Sequence, residues 1–225
     1  LPIVVAAPKL LWCLKDQCRF DPKIDKSHRR HPVRDHHPKG TRGDVIAADD
    51  PTVSAKSQRR YGPGVDGANA VLGGGFVDGS ATILGGTTGV GKSSILGEII
   101  YHLCSKLHAI VLYVAAEETQ AQVAGRLSSA GIAHKNIKIV HTTSMEDAER
   151  YIAEIKPHVV VYDSLSRINT MRAPNAKVGS VQAMKAVTER IIHIAKKSKL
   201  HPISIAVCHE NKDGDIAGPQ EVQHD

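Results

Sequence analysis

"ATILGGTTGVGKSS", residues 81–94, is the stretch whose reading decides the fold. A short β-branched and apolar run, residues 81–84, leads into Gly86, Thr87, Thr88, Gly89, Val90, Gly91, Lys92 and Ser93. These residues satisfy the pattern G-x-x-x-x-G-K-[ST] at every fixed position. Ile95, Leu96, Ile99, Ile100 and Leu103 then recur at helical spacing. Strand, loop and helix follow in the order that a phosphate-binding P-loop requires. The glycines let the backbone fold into a nest of N–H donors, and the positive end of the following helix adds to the attraction for anions. Gly86, Thr87, Thr88, Gly89, Val90, Gly91, Lys92, Ser93 and Ser94 are therefore predicted to hold ATP, with Lys92 on the β- and γ-phosphates and Ser93 on Mg²⁺.

Working outward, the 225 residues suit one α/β domain plus a tail or small module. The formal charge is +6, and its placement says more than its size. Residues 1–60 hold 13 Lys and Arg against 7 Asp and no Glu, whereas residues 61–225 hold 16 of each sign. A boundary is expected near Arg59, giving a loosely ordered basic segment over 1–58 and an α/β core over 59–225. No apolar run approaches the roughly 20 residues of a membrane span, and the opening "LPIVVAAPKLLW" lacks a basic leader and is broken by Pro2 and Pro8. Four scattered cysteines are too few for a disulfide framework, so a cytoplasmic protein without membrane contact is expected. The chain starts at Leu1 and stops at Asp225 directly after a motif-rich stretch, so the core is expected to be incomplete at its C-terminus.

Within the basic segment, Cys13 and Cys18, with His28, His31, His36 and His37 downstream, are potential zinc ligands. The alternative is a solvated basic linker that contains histidines, since C-x4-C is looser than the usual knuckle. Lys26, Arg29, Arg30 and Arg34 suit either nucleic-acid phosphates or plain solvent.

Past the P-loop helix, the apolar run 109–116 is long enough for a strand buried on both faces and ends at Glu117 and Glu118. Ligands of open α/β sheets gather at the carboxyl ends of strands. Glu117 is accordingly assigned to orienting the attacking water, and Glu118 to the start of a helix over 119–129. A strand is predicted over 137–141, and Ser144-Met145-Glu146-Asp147 resembles a capping box that opens a helix to about residue 155. "HVVVYDS" then reads as a Walker B strand delivering Asp163 to the Mg²⁺ beside Ser93. Residues 165–179 show no clear period and carry Arg167, Arg172 and Lys177. They suit either a mobile loop that grips a DNA backbone or a bland surface connection. Ser180 caps a helix with Val181, Met184, Val187, Ile191 and Ala195 on its apolar face. The last strand, 203–208, brings His209 to the carboxyl edge, either as a γ-phosphate sensor or as a structural hydrogen-bonder, with Lys212 on the loop that follows, facing either DNA or the next subunit.

From about Arg59 onward the chain resembles the ATPase core of the bacterial RadA (Sms) family, within the wider RecA-like P-loop group. The resemblance rests on "VLGGGFVDGS", "GGTTGVGKSS", "LYVAAEET", "VVVYDS", "VGSVQAMKAV" and "GDIAGPQEVQHD". It implies a RecA-like core with a mostly parallel central sheet flanked by helices. It also implies a DNA-dependent ATPase of recombination and repair, a hexameric ring that drives branch migration on single-stranded or branched DNA, and a RecA-type recombinase as partner. By motif it sets Lys92 and Ser93 on nucleotide and Mg²⁺, Glu117 on the water and Asp163 on the metal. The family usually opens with two C-x-x-C pairs, where this chain has only Cys13 and Cys18, and its "GHVTKEG" stands here as "CHENKDG". Two other functions share the core: an ATP-gated assembly module of the clock-ATPase or recombinase-mediator kind, and a DnaB-like hexameric helicase.

Overall fold

Two apolar runs form the middle of the sheet. Val111–Ala115 and Val159–Asp163 are buried at every residue, as strands covered on both faces must be. The computed structural model describes residues 60–209 and the backbone of Val5–Ala6. Its elements run β1 (Val5–Ala6), β2 (Arg60–Tyr61), α1 (Asp66–Val71), β3 (Phe76–Val77), β4 (Ala81–Gly86), α2 (Lys92–Leu107), β5 (Val111–Ala115), α3 (Gln120–Ser129), β6 (Ile137–His141), α4 (Met145–Ile155), β7 (Val159–Asp163), a 3₁₀ turn (Leu165–Arg167), α5 (Val181–Lys197) and β8 (Ile203–His209). The expected α/β core is present. Cys13, Cys18, Lys212 and the 1–58 boundary lie outside the described residues.

The sheet order is β1-β4-β8-β7-β5-β6, with β4, β8, β7, β5 and β6 parallel and β1 antiparallel on the β4 edge. The chain leaves β4, skips two positions to β5, steps out to β6, then turns back to fill the gap with β7 and β8. Parallel crossovers are right-handed, so this reversal must move the helices from one face to the other. It does: α2 and α3 pack on one face with Leu96, Ile100, Leu103, Val123 and Leu127. The opposite face carries α4 and α5 with Met145, Ile152, Met184, Val187 and Ile191. Edge strand β6 is less covered, with Val140 buried and Lys138 and His141 exposed. The consequence for function is that β8 lies between the P-loop strand β4 and the Asp163 strand β7, all three running parallel so that their carboxyl ends share one edge.

Helix α2 has no side-chain cap at its N-terminus, a loss of about 1 kcal/mol. Leu96, Ile99, Ile100 and Leu103 are buried beneath it, each contributing about 1.5–3 kcal/mol, so packing holds the helix while its first N–H groups stay open to a ligand. The starts of α3, α4 and α5 are capped by side chains. Thr119 and Gln122 form a reciprocal capping box, and Ser144 and Ser180 accept from Asp147 N and Ala183 N. At Ser144 the expected box is only half formed, because the Asp147 carboxylate bonds Arg150 and Thr142 instead, and Ser144 N donates to Thr142 Oγ1.

The "LGGG" lead-in is the turn between α1 and β3. Gly75 adopts φ 131°, and a Cβ there would lie 2.5 Å from the Tyr61 carbonyl oxygen, so glycine is required both by the angle and by the close approach of β2. Among the described residues no helix is long and apolar enough to cross a membrane.

Candidate active site

The P-loop closes over the carboxyl end of β4. Gly91 is the N-cap of α2 at φ 95°, a left-handed angle that turns the chain sharply into the helix. Lys92 is only 5% exposed. A buried ammonium needs partners, and Nζ finds two by folding back over the loop to donate to the carbonyls of Gly86 (2.7 Å) and Thr87 (2.8 Å). Thr87, Thr88, Gly89 and Ser94 are exposed, and Val90 and Ser93 are half-buried. The loop is therefore open on the side away from the core, where α2 points its unpaired N–H groups.

Strand register carries the acidic residues to the same edge. Gly86 is aligned with His209, and Ala115 with Asp163. Asp163, 9% exposed, accepts a hydrogen bond from the Tyr113 hydroxyl. Burial pushes its carboxyl above the usual range and the neighbouring Glu117 and Glu118 charges add to this, against the hydrogen bond from Tyr113 and the charge of Arg126. A peptide in the cis form joins Asp163 to Ser164.

Glu117, just past β5, is held from three sides. Ser164 Oγ donates to Oε1 at 2.6 Å, Arg167 Nε lies 3.5 Å from Oε1, and His209 Nε2 lies 3.6 Å from Oε2. Partial burial disfavours its charge, but the Ser164 hydroxyl and the charges of His209 and Arg167 outweigh burial and hold the carboxyl below its ordinary value. His209 thus meets the carboxylate rather than a remote structural partner, and its Nδ1 is buried with no hydrogen-bond partner among the described residues. Glu118 does more than open a helix: it pairs with Arg126 at 2.7 Å.

The segment expected to be a mobile loop is tied down over its first half. Leu165 and Ile168 are buried, Asn169 N donates to Thr143 O at 2.8 Å, and Met145 N donates to Asn169 O at 2.9 Å. Glu146, in the first turn of α4, accepts from Thr170 Oγ1 (2.6 Å) and Met171 N (2.9 Å). Arg167 turns toward Glu117, whereas Arg172 and Lys177 stand exposed on residues 171–179 beyond the anchor.

Ser164, Tyr113 and Arg126 escaped the sequence reading. Tyr113 carried a usable signal: a tyrosine inside a fully buried strand needs a partner for its hydroxyl, and that partner is the acid at the end of the neighbouring strand. Ser164 and Arg126 become visible only once β5 and β7 are in register. Among the described residues no cluster of three or more His, Cys, Asp or Glu is suited to a metal. The Mg²⁺ that a P-loop implies would instead be held by the Ser93 hydroxyl and the Asp163 carboxylate. These are hard oxygen donors, and the buried Asp163 charge has no cation in direct contact among the described residues, so the donor set fits the ion.

Residues 67–215 match the AAA domain family. The chain is 32% identical over 172 residues to the DNA repair protein RadA of Haemophilus influenzae, covering 76% of this chain and 36% of that protein. It is 34% identical over 172 residues to the DNA repair protein RadA of Pseudomonas aeruginosa, covering 76% and 37%. It spans between about a quarter and just over a third of the length of the curated relatives it matches. A KaiC-like protein from the hyperthermophilic archaeon Pyrococcus horikoshii shares the fold, with a TM-score of 0.56 at 20% identity over 73% of this chain and 76% of that one. The resemblance to RadA expected from the motifs is borne out over the ATPase region. A P-loop, two acids carried to the same edge of the sheet by strand register, and a match across well over half the sequence lead to one assignment: the chain belongs to the AAA domain family, within the RecA-like P-loop group.

Proposed function

We propose that this chain is the ATP-binding and ATP-hydrolysing part of a RadA-like, DNA-dependent ATPase of recombination and repair. The observation that carries the reading is the arrival of Lys92, Glu117 and Asp163 at one sheet edge, with β8 and its His209 lying between the P-loop strand β4 and the paired strands β7 and β5. Backbone N–H groups of the P-loop and the open end of α2 bind the phosphates. Lys92 exchanges its two loop carbonyls for β- and γ-phosphate oxygens. Ser93 and Asp163 hold Mg²⁺, which when bound offsets the charge developing on the transferred phosphoryl group. Glu117, kept ionised by Ser164, accepts a hydrogen bond from the attacking water and orients it.

Single-stranded or branched DNA is the proposed partner, gripped by Arg172 and Lys177 and, across the 209–219 loop, by Lys212. Arg167 touches Glu117, so DNA bound at this loop would bear on the catalytic carboxylate through one residue. The ring-shaped homo-oligomer, the recombinase partner and the cytoplasmic setting belong to the same reading. Glu117→Gln tests the chemistry: the account expects ATP binding to persist while turnover falls by about 10²–10⁴-fold. Turnover that survives the substitution would overturn the role of Glu117.

One observation favours the alternative of an ATP-gated assembly module: residues 61–225 carry equal numbers of acidic and basic side chains, whereas a DNA channel is usually basic. DNA binding in the presence of ATP that weakens steeply with salt supports the motor. Nucleotide-driven changes in oligomer size without such binding support the module.

A further inference from the structure

We propose that Tyr113 is a positioning residue for Mg²⁺ binding: its hydroxyl fixes one oxygen of Asp163 so that the other is presented to the ion, and Arg126 fixes the hydroxyl. The inference rests on the reading of Asp163 as a magnesium ligand. Tyr113 is 1% exposed on β5, and its hydroxyl donates to Asp163 Oδ2. No described residue donates to Oδ1. Arg126 Nη2, on α3, lies 3.4 Å from the same hydroxyl oxygen and is itself clamped by Glu118 at 2.7 Å. The Glu118 carbonyl in turn accepts from His141 Nδ1 at 3.0 Å, which ties the chain of contacts to β6.

Register explains why a tyrosine is needed at this position. Asp163 stands opposite Ala115, whose methyl group leaves space above it, and Tyr113 stands opposite Val161, two residues back on the same face. The diagonal span of about 7–8 Å is within reach of an aromatic side chain and beyond that of a small one. Polarity sets the direction of the proton. A guanidinium can only donate, so Arg126 takes the lone pair of the Tyr113 oxygen and leaves the hydroxyl hydrogen to point at Asp163.

The test uses the complete gene product as wild type, Tyr113→Phe, Asp163→Asn and the double variant. The Mg²⁺ dependence of binding of a fluorescent non-hydrolysable ATP analogue is measured, with Mn²⁺ paramagnetic resonance as a direct readout of the ion. Tyr113→Phe is expected to raise the half-saturating Mg²⁺ concentration about 10–100-fold, the effect of losing an outer partner of a metal ligand, while nucleotide affinity in EDTA stays unchanged. The double variant is expected to be no weaker than Asp163→Asn alone. Arg126→Met, which leaves Tyr113 in place, is expected to shift Mg²⁺ dependence in the same direction, and it carries the test should Tyr113→Phe fail to melt cooperatively. A wild-type Mg²⁺ dependence in Tyr113→Phe beside a shifted Asp163→Asn overturns the proposal alone. So does a loss that is equal with and without the ion, or two shifts that simply multiply in the double variant. An unshifted Asp163→Asn overturns the reading of Asp163 on which the proposal stands.

Discussion

Replacing Ser164 by alanine removes one oxygen atom and with it the shortest contact to Glu117. The hydroxyl sits 2.6 Å from Oε1, is fully buried and also meets Ser166 Oγ at 3.1 Å. A hydrogen bond to a charged group is worth about 1.5–3 kcal/mol when buried. The Glu117 side chain is 33% exposed, so water recovers part of that, and Arg167 at 3.5 Å and His209 at 3.6 Å retain their hold. The net loss expected in the transition state is about 1.4 kcal/mol, or roughly tenfold in turnover. Steady-state ATP hydrolysis over a pH series is the assay. The account predicts kcat reduced about tenfold, an unchanged KM for ATP because Ser164 lies off the P-loop, and an acid limb moved to higher pH because the carboxylate loses its main stabilising donor. Turnover equal to or above wild type would refute the reasoning, for it would mean that Ser164 restrains Glu117 away from the water instead of holding it in place.

Other consequences are equally concrete. Gly75→Ala is expected to cost about 2 kcal/mol or more in chemical denaturation, because the methyl group meets the Tyr61 backbone at a left-handed angle, while Gly62→Ala, with nothing within 4 Å, is expected to stay within about 0.5 kcal/mol. Glu146 is opposed by burial but held below its ordinary value by the Thr170 hydroxyl and by backbone N–H groups, so with Glu117 it stabilises the fold above about pH 4.5. That contribution is lost as pH falls through the lowered folded values, and acid denaturation of Glu146→Gln should be less steep than wild type. Glu146→Ala should also speed proteolytic nicking within residues 171–179, whose near end it anchors; unchanged cleavage would contradict that anchoring.

Much of the architecture was legible because the sequence repeats one physical device. An apolar run buried on both faces ends in a chemically useful residue, as at Glu117, Asp163 and His209, and an amphipathic helix with a serine or threonine cap follows the first two of these runs. Strand ends lie at the ligand edge in any open parallel sheet, so these residues could be named before their neighbours were known. Contacts between strands were not legible. Tyr113 meets Asp163 only because β5 and β7 pair with Ala115 opposite Asp163, and nothing local sets that register. Ser164 was hidden for the same reason. Glu146 was hidden as well: its place in the first turn of a helix gives no hint of a partner, and only the fold brings Thr170 and Met171 to it. The anchoring of residues 165–170 was not legible either, because burial of Leu165 and Ile168 depends on the packed fold, whereas Met171, Arg172 and Lys177 stand exposed.

The central claim is that nucleotide turnover at this edge is coupled to DNA. Its most direct test is the rate of ATP hydrolysis by the complete gene product with and without single-stranded DNA, beside Lys92→Ala. The account predicts a rate raised strongly by DNA and abolished in Lys92→Ala. ATP binding with a rate indifferent to DNA would contradict it.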